Sequence, residues 1–242
     1  MAVLLNGGFH SVRAKAEEDL ERILQHFGLS SEGLGELSFK GVEVSIPFCG
    51  GSTEGTHPAV TILLTVELQS HLKMTSVRAE EMFKALYMLV VSTLQEYGMP
   101  VVFRNLIVTT IVLDDGRFIP ACDVGFDIDY LGEPGRLVHL PPLAVENEYI
   151  ILHEFAHCCM ETPPSDYGLI LAAEILADLV AICALKKIIP AHKRFYREMV
   201  KESVVSKYGR ELWGEDTDIK YILSNPEGFL KGFSDGVSGR FR

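Results

Sequence analysis

The sequence lacks the cysteine pattern of a disulfide-stapled protein or of a cysteine-ligated zinc site. Its five cysteines are odd in number, and no two of them have the Cys-x-x-Cys spacing. Cys158 and Cys159 are adjacent, which is a poor geometry for a bond between them on a helix. We therefore expect reduced, mostly buried thiols, as in a cytoplasmic protein.

The chain is also short of positive charge. It has 22 Lys and Arg residues against 33 Asp and Glu residues, for a net charge of −11 at pH 7, and no run of basic residues. Because such a surface repels a polyanion, we expect no nucleic-acid partner. The apolar residues near the start, 2–5, have no basic residue before them, which argues against a signal peptide and favours a cytoplasmic location.

One long apolar segment raises the question of a membrane span. Residues 168–190 (GLILAAEILADLVAICALKKIIP) are about as long as a bilayer-spanning helix, and a membrane-inserted protein would use them in that way. Glu174 and Asp178, however, lie near the centre of the segment, where an ionised carboxylate is costly in lipid. We expect a helix buried inside the protein, and no membrane partner.

The order of the elements predicts an α+β fold. Helical periodicity is found first at residues 13–27 and 76–97, and strand-like patterns at residues 36–48 and 59–69. Residues 101–131 predict a β-hairpin, because Asp114-Asp115-Gly116 is a turn signal between apolar stretches. A turn at residues 132–135 and a short strand at 136–140 follow, and the rest is helical in pattern.

We predict a single unit that spans residues 1–242. Residues 1–98 form an N-terminal α/β part, to which we assign no role. Residues 99–242 form the core, with a β-rich segment at 101–140 and helices over 144–238. The two segments of interest for chemistry both lie in the helical half.

The pattern His-Glu-x-x-His occurs at residues 153–157. His153 and His157 are four apart, so on a helix both imidazoles project from one face and reach one ion. Glu154 points to the side of this pair, where a carboxylate can hold a metal-bound water without ligating the metal. This is the motif of zinc metallopeptidases, although it also occurs by chance.

A catalytic zinc ion needs a third protein ligand and an open position for water. The histidine that metzincins place downstream is missing, because Pro163 stands there. Glu174 and Asp178 are again four apart on a helix, so one carboxylate can bind zinc while the other holds a ligating histidine. Asp166 is an alternative third ligand, and pairing of the two acids with lysine or arginine is an alternative reading of the second helix.

These two motifs together resemble the gluzincin branch of zinc peptidases, in particular small intracellular members such as the ImmA/IrrE-type and Lit-type peptidases. The resemblance covers residues 136–188. It implies a zincin-like fold, in which a mixed β-sheet has an active-site helix beneath it and an all-helical C-terminal half follows. It also implies that His153, His157 and Glu174 bind Zn²⁺, that Glu154 is the general base and that Asp178 supports a ligand from behind.

The resemblance further asks for an edge strand beside the active-site helix, onto which a peptide adds. We expect this strand at residues 135–141, with His139 facing either the substrate or the surface. A donor for the oxyanion is also expected. Tyr167 is our candidate for it, and the alternatives are Tyr149, Tyr196 and His192.

The sequence therefore predicts a zinc-dependent metalloendopeptidase that hydrolyses a peptide or protein substrate, with a regulatory role inside the cell. The alternative is a non-catalytic zincin-like binding or regulatory module. Glu154 argues against that alternative, because a purely structural zinc site is closed by four ligands and has no use for a base.

Overall fold

The structure is a computed structural model that describes residues 40–48, 59–112, 116, 123–130, 133–145, 147–160, 167–188 and 225–232. For residues 123–130, 133–134 and 167–172 the description covers the backbone. The predicted helix at residues 13–27 lies outside the described residues, as do residues 189–224 of the predicted helical part and Asp166, His192 and Tyr196.

Five strands form one mixed sheet, in the order β1-β2-β3-β5-β4. Their bounds are Gly41–Pro47 for β1, Ala59–Thr65 for β2, Asn105–Thr109 for β3, Asp123–Tyr130 for β4 and Glu133–His139 for β5. The three central strands, β2, β3 and β5, run parallel. The two outer strands run antiparallel to their neighbours, and β4 has an irregularity between Val124 and Phe126.

The burial pattern explains the positions of the strands. Residues 106–109 of β3 are all buried, as are most residues of β2, which is typical of central parallel strands covered on both faces. In β1 the buried residues, Val44 and Ile46, alternate with more exposed ones. One buried face is what an antiparallel edge strand presents.

Two predictions about the strands are wrong. In the described residues, β3 and β4 do not pair with each other as the predicted hairpin requires, because β5 lies between them and pairs with both. For the same reason the predicted edge strand, 135–141, is not an edge: residues 135–139 are flanked by β3 on one side and by β4 on the other. Within the described residues the edges are β1 and β4, and the predicted turn at 132–135 is mostly strand.

Two helices follow β2. Helix α1, Val66–His71, begins where a longer strand was predicted, and the Thr65 side chain accepts a hydrogen bond from the N–H of Leu68. Helix α2, Ser76–Glu96, has the predicted extent. Thr75 caps its start, since the Thr75 Oγ1 accepts from the N–H of Arg78 at 3.3 Å.

Two helices also follow the sheet, as predicted. Helix α3 is Glu148–Cys159 and helix α4 is Tyr167–Ile188. Residues 226–232 are helical as well. Within the described part of the chain, no helix is both long enough and apolar enough to cross a membrane.

The chain divides into two compact units. One comprises Met1–Leu86 with Val102–Glu154 and contains the sheet and α1; the other comprises Tyr87–Val101 with Phe155–Arg242 and contains α4. The boundaries fall within α2 and α3. In the second unit, Tyr87 of α2 packs edge-on against Phe155 of α3, with ring centroids 5.6 Å apart.

Three of the cysteines confirm the prediction of buried thiols. Cys158, Cys159 and Cys183 are buried, and the other two lie outside the described residues. Burial raises the pKa of the Cys183 thiol to about 12, with a further contribution from the nearby Glu227 carboxylate. Burial likewise raises the pKa of Tyr97, whose hydroxyl group is hydrogen-bonded with this thiol. Cys183 is therefore protonated at neutral pH.

Candidate metal centre

The start of α3 fixes the positions of the histidines along the helix. The side-chain oxygen of Asn147 accepts a hydrogen bond from the backbone N–H of Tyr149 at 3.1 Å, which satisfies one of the free donors at the helix start. Glu148 follows in the first turn, where a negative charge interacts favourably with the helix dipole. The two histidines then fall on the second and third turns.

His153 and His157 project from one face of α3, as the spacing predicts. Their exposure differs: His153 is 3% exposed, whereas the His157 side chain is 17% exposed. The pair therefore has a closed end at His153 and a more open end at His157.

Helix α4 brings Glu174 to the same place. Oε1 of Glu174 lies 3.4 Å from Nε2 of His157. One donor atom from each of His153, His157 and Glu174 can be chosen so that all three lie within 4.8 Å of one another. Glu174 follows His157 by seventeen residues, yet its carboxylate lies close to both histidines. The sequence predicts this residue as the third ligand.

The spacing of these donors suits a tetrahedral metal. Two atoms bound to one zinc ion at about 2.0–2.1 Å in tetrahedral geometry lie about 3.4 Å apart. The distance from His157 to Glu174 equals this value, and it exceeds the 2.7–2.9 Å that is typical of a charge-assisted hydrogen bond. Two imidazoles and one carboxylate are also a donor set found in catalytic zinc sites. The residues present therefore fit zinc.

Two further acids lie next to this group. Glu154 follows His153 on α3 and is 3% exposed. Asp178 lies one turn after Glu174 on α4 and is also 3% exposed. Burial of a carboxylate is costly unless it is paired, hydrogen-bonded or near a metal. A metal site beside Glu154 and Asp178 would offset the cost of burying both carboxylates.

The lysines of α4 interact elsewhere. Lys187 donates to Oε2 of Glu96 at 2.6 Å, and Lys186 forms an ion pair with Glu227. These pairs account for the basic residues in the last turn of α4. The alternative in which Glu174 serves only to pair with a lysine or arginine is weakened, because Glu174 lies beside His157.

The remaining predicted site residues are placed as follows. His139 is 1% exposed, and its Nδ1 accepts a hydrogen bond from the N–H of Ile111 at 3.0 Å. Its position is thus neither on the surface nor on an edge strand. Tyr167 is the first residue of α4, and its side chain lies outside the described part. Tyr149 is buried on α3, one turn before His153.

Sequence reasoning missed β4 as an edge strand. The signal that could have found it is the two-residue connection at residues 131–132, between two stretches that both have strand character. The Asp-Gly turn signal upstream predicts pairing of β3 with β4, whereas β4 pairs with β5.

No family model, curated protein or solved structure matches this chain.

Proposed function

We propose that this protein is a zinc-dependent metallopeptidase that hydrolyses peptide bonds of a peptide or protein substrate. The observation that carries the proposal is the convergence of His153, His157 and Glu174, within 4.8 Å of one another, beside the buried Glu154. Chemically, the donor set is that of a catalytic zinc site rather than a structural one, because three protein ligands leave a position open.

Each residue has a separate task in this proposal. The two histidines and Glu174 would hold the zinc ion, which would supply a Lewis acid for lowering the pKa of water and polarising the scissile carbonyl. Glu154 accepts the proton of the attacking water and then delivers it to the nitrogen of the departing amine. The water oxygen bonds to the carbonyl carbon, the C–N bond breaks, and a carboxylate and an amine result. Asp178 orients one of the ligands.

We assign substrate binding to β4 instead of β5, the strand that the sequence suggests. A peptide adds to a sheet through backbone hydrogen bonds, which requires a strand with a free edge. Strand β5 is paired on both sides, whereas β4 is the outer strand next to it in the described sheet. His139 belongs to the sheet interior in this view, not to the substrate-binding surface.

We further propose a regulatory role inside the cell. The buried thiols of Cys158, Cys159 and Cys183 fit a reducing compartment, in which disulfides do not persist. A protease inside the cell must not digest cellular proteins unselectively. We therefore propose that the substrate is one intracellular protein.

The test combines metal analysis with a cleavage assay. Protein purified without added zinc is analysed for bound metal and then incubated with a mixed peptide library, with products identified by mass spectrometry. We expect about one zinc ion per chain and new peptide termini that a chelator abolishes. His157→Ala is the control and should lose both. Zinc without any cleavage would favour the non-catalytic module, and no zinc in either protein would contradict the site itself.

A further inference from the structure

Helix α3 carries three ring side chains on one face. Tyr149, His153 and His157 follow at intervals of four residues, which places them one above the other along the helix. Their exposure rises along this stripe: Tyr149 and His153 are 1% and 3% exposed, and the His157 side chain is 17% exposed. The stripe is closed at its N-terminal end and opens toward its C-terminal end.

The first two rings of the stripe are in contact range. The ring centroids of Tyr149 and His153 lie 6.4 Å apart at an interplanar angle of 42°. Aromatic pairs interact favourably at centroid distances of about 4.5–7 Å. Tyr149 also stands on a fixed part of the helix, because its N–H is bonded to the Asn147 cap.

We propose that Tyr149 is a positioning residue, whose ring holds the His153 imidazole in the orientation that binds the metal. The inference rests on the metal site proposed above. The Tyr149 ring lies at the buried end of the stripe and there limits the rotation of the His153 side chain. Metal and substrate therefore enter from the opposite end, at His157 and Glu174, whose side chains are 17% and 24% exposed.

This role differs from the one that the sequence suggested. Tyr149 was a candidate donor to the oxyanion, which requires its hydroxyl group at the open side of the metal. At 1% exposure and one turn before His153, it lies at the closed end. The ring, not the hydroxyl group, is the part that acts on His153.

The experiment uses three variants of the full chain. Tyr149→Leu removes the ring, Tyr149→Phe keeps it and removes only the hydroxyl group, and Tyr87→Leu is the matched control. Tyr87 is 0% exposed and packs on the same helix, but against Phe155, which lies away from the histidine face. Zinc affinity is measured by competition with a chelator, and the visible spectrum of the Co²⁺-substituted protein reports the geometry of the ligands.

We expect Tyr149→Leu to weaken zinc binding by about tenfold, at the lower end of what losing support behind a metal ligand costs. The cobalt spectrum should change with it. Tyr149→Phe should restore both, and Tyr87→Leu should leave both unchanged even if it lowers stability. Equal affinities of wild type and Tyr149→Leu would overturn the inference, and so would a Tyr149→Phe variant as weak as Tyr149→Leu.

A second measurement needs no metal. In metal-free protein with labelled histidine, the His153 Hδ2 resonance should move in Tyr149→Leu, because the ring-current shift of Tyr149 is lost, and should stay close to its place in Tyr149→Phe. An unmoved resonance in Tyr149→Leu would overturn the inference by itself. If the wild type binds neither zinc nor cobalt, the proposed function fails, and this resonance still decides whether Tyr149 holds His153.

Discussion

At the scale of single residues, the adjacent side chains of His153 and Glu154 are proposed for different tasks. On a helix, neighbouring residues point about 100° apart, so a residue next to a ligand stands beside the metal rather than over it. Both residues are 3% exposed. A carboxylate so placed is close enough to a metal-held water to move its proton, but it does not compete with the imidazoles for the ion.

A substitution of Glu154 should therefore affect the cleavage rate without affecting metal binding. We expect Glu154→Gln to keep the wild-type metal content and to lower the cleavage rate by at least about 10²-fold, the range of a lost general base. His153→Ala should lose the metal together with the activity. Metal analysis and the rate on one library-derived peptide test both. A purified Glu154→Gln variant with wild-type activity would refute the assignment.

A second residue-scale prediction concerns Glu227 and pH. Burial raises the pKa of the Glu227 carboxyl, but the hydrogen bond from Lys186, a backbone hydrogen bond at Glu227 and the charge of Lys186 together outweigh burial, so the net pKa lies below the usual 4.5. A carboxyl whose pKa is lower in the folded state stabilises the fold above its unfolded pKa, and this stabilisation is lost as the pH falls through the folded pKa.

Glu227→Gln should therefore destabilise the protein near pH 7 and have progressively less effect below about pH 4.5. Both side chains of the pair are more than a third exposed, so the loss at neutral pH should be about 0.2–1 kcal/mol. Urea unfolding of variant and wild type at a series of pH values measures it. A difference in free energy that stays constant from pH 7 to pH 3 would count against the ion pair.

At the scale of the elements, the end of α2 depends on one glycine. Gly98 has a φ of 69°, and its N–H bonds to the carbonyl of Gln95 at 3.0 Å. The N–H of Met99 bonds to the carbonyl of Leu94 at 2.9 Å. This pattern ends a helix with a residue in the left-handed region, where a Cβ is strained.

We expect Gly98→Ala to lower the free energy of unfolding by about 1 kcal/mol, because of the backbone conformation alone. A Cβ at this position would meet nothing within 4 Å, so steric clash does not contribute. Gly98→Asn should cost less, since asparagine tolerates this region. Gly232→Ala is the control, because Gly232 has equally open space and no positive φ. Equal effects of the two alanine substitutions in urea unfolding would refute the explanation.

The sheet shows why local signals misplaced a strand. The turn signal at residues 114–116 depends on three neighbouring residues, whereas the position of β5 between β3 and β4 depends on pairing across the whole sheet. Helix α2 was correctly bounded because its caps, Thr75 and Gly98, are themselves local. The β-branched residues of 59–69 predict a strand through residue 69, yet the side chain of Thr65 caps a helix that begins at Val66.

At the scale of the whole molecule, the proposed site joins residues from two helices. An ion that binds only when both are in place stabilises the folded state by linkage. We expect added zinc at about 100 times its dissociation constant to stabilise the protein by about 2.7 kcal/mol over the chelated form.

Thermal unfolding with zinc and with a chelator measures this effect. His157→Ala should abolish the zinc-dependent shift in Tm, while Lys187→Gln, which removes an ion pair of α4 away from the histidines, should keep it. A zinc-dependent shift that persists in His157→Ala would place the ion elsewhere.

The parts of the proposed site that depend on helical spacing can be read from the sequence. The intervals from His153 to His157 and from Glu174 to Asp178 each place two side chains on one face, whatever surrounds the helix. That Glu174 could be the third ligand followed from the same reasoning, together with a resemblance to gluzincins.

Which residues from different elements meet depends on the three-dimensional fold. It brought Glu174 to 3.4 Å from His157, buried His139 inside the sheet and placed Tyr149 at the closed end of the histidine stripe. It also made β4, not β5, an outer strand of the described sheet. The contact of Glu174 with His157 and the strand pairings join residues that are distant in sequence, and the burial of Tyr149 likewise depends on what packs around its helix. They depend on packing and strand pairing across the fold, which no local spacing determines.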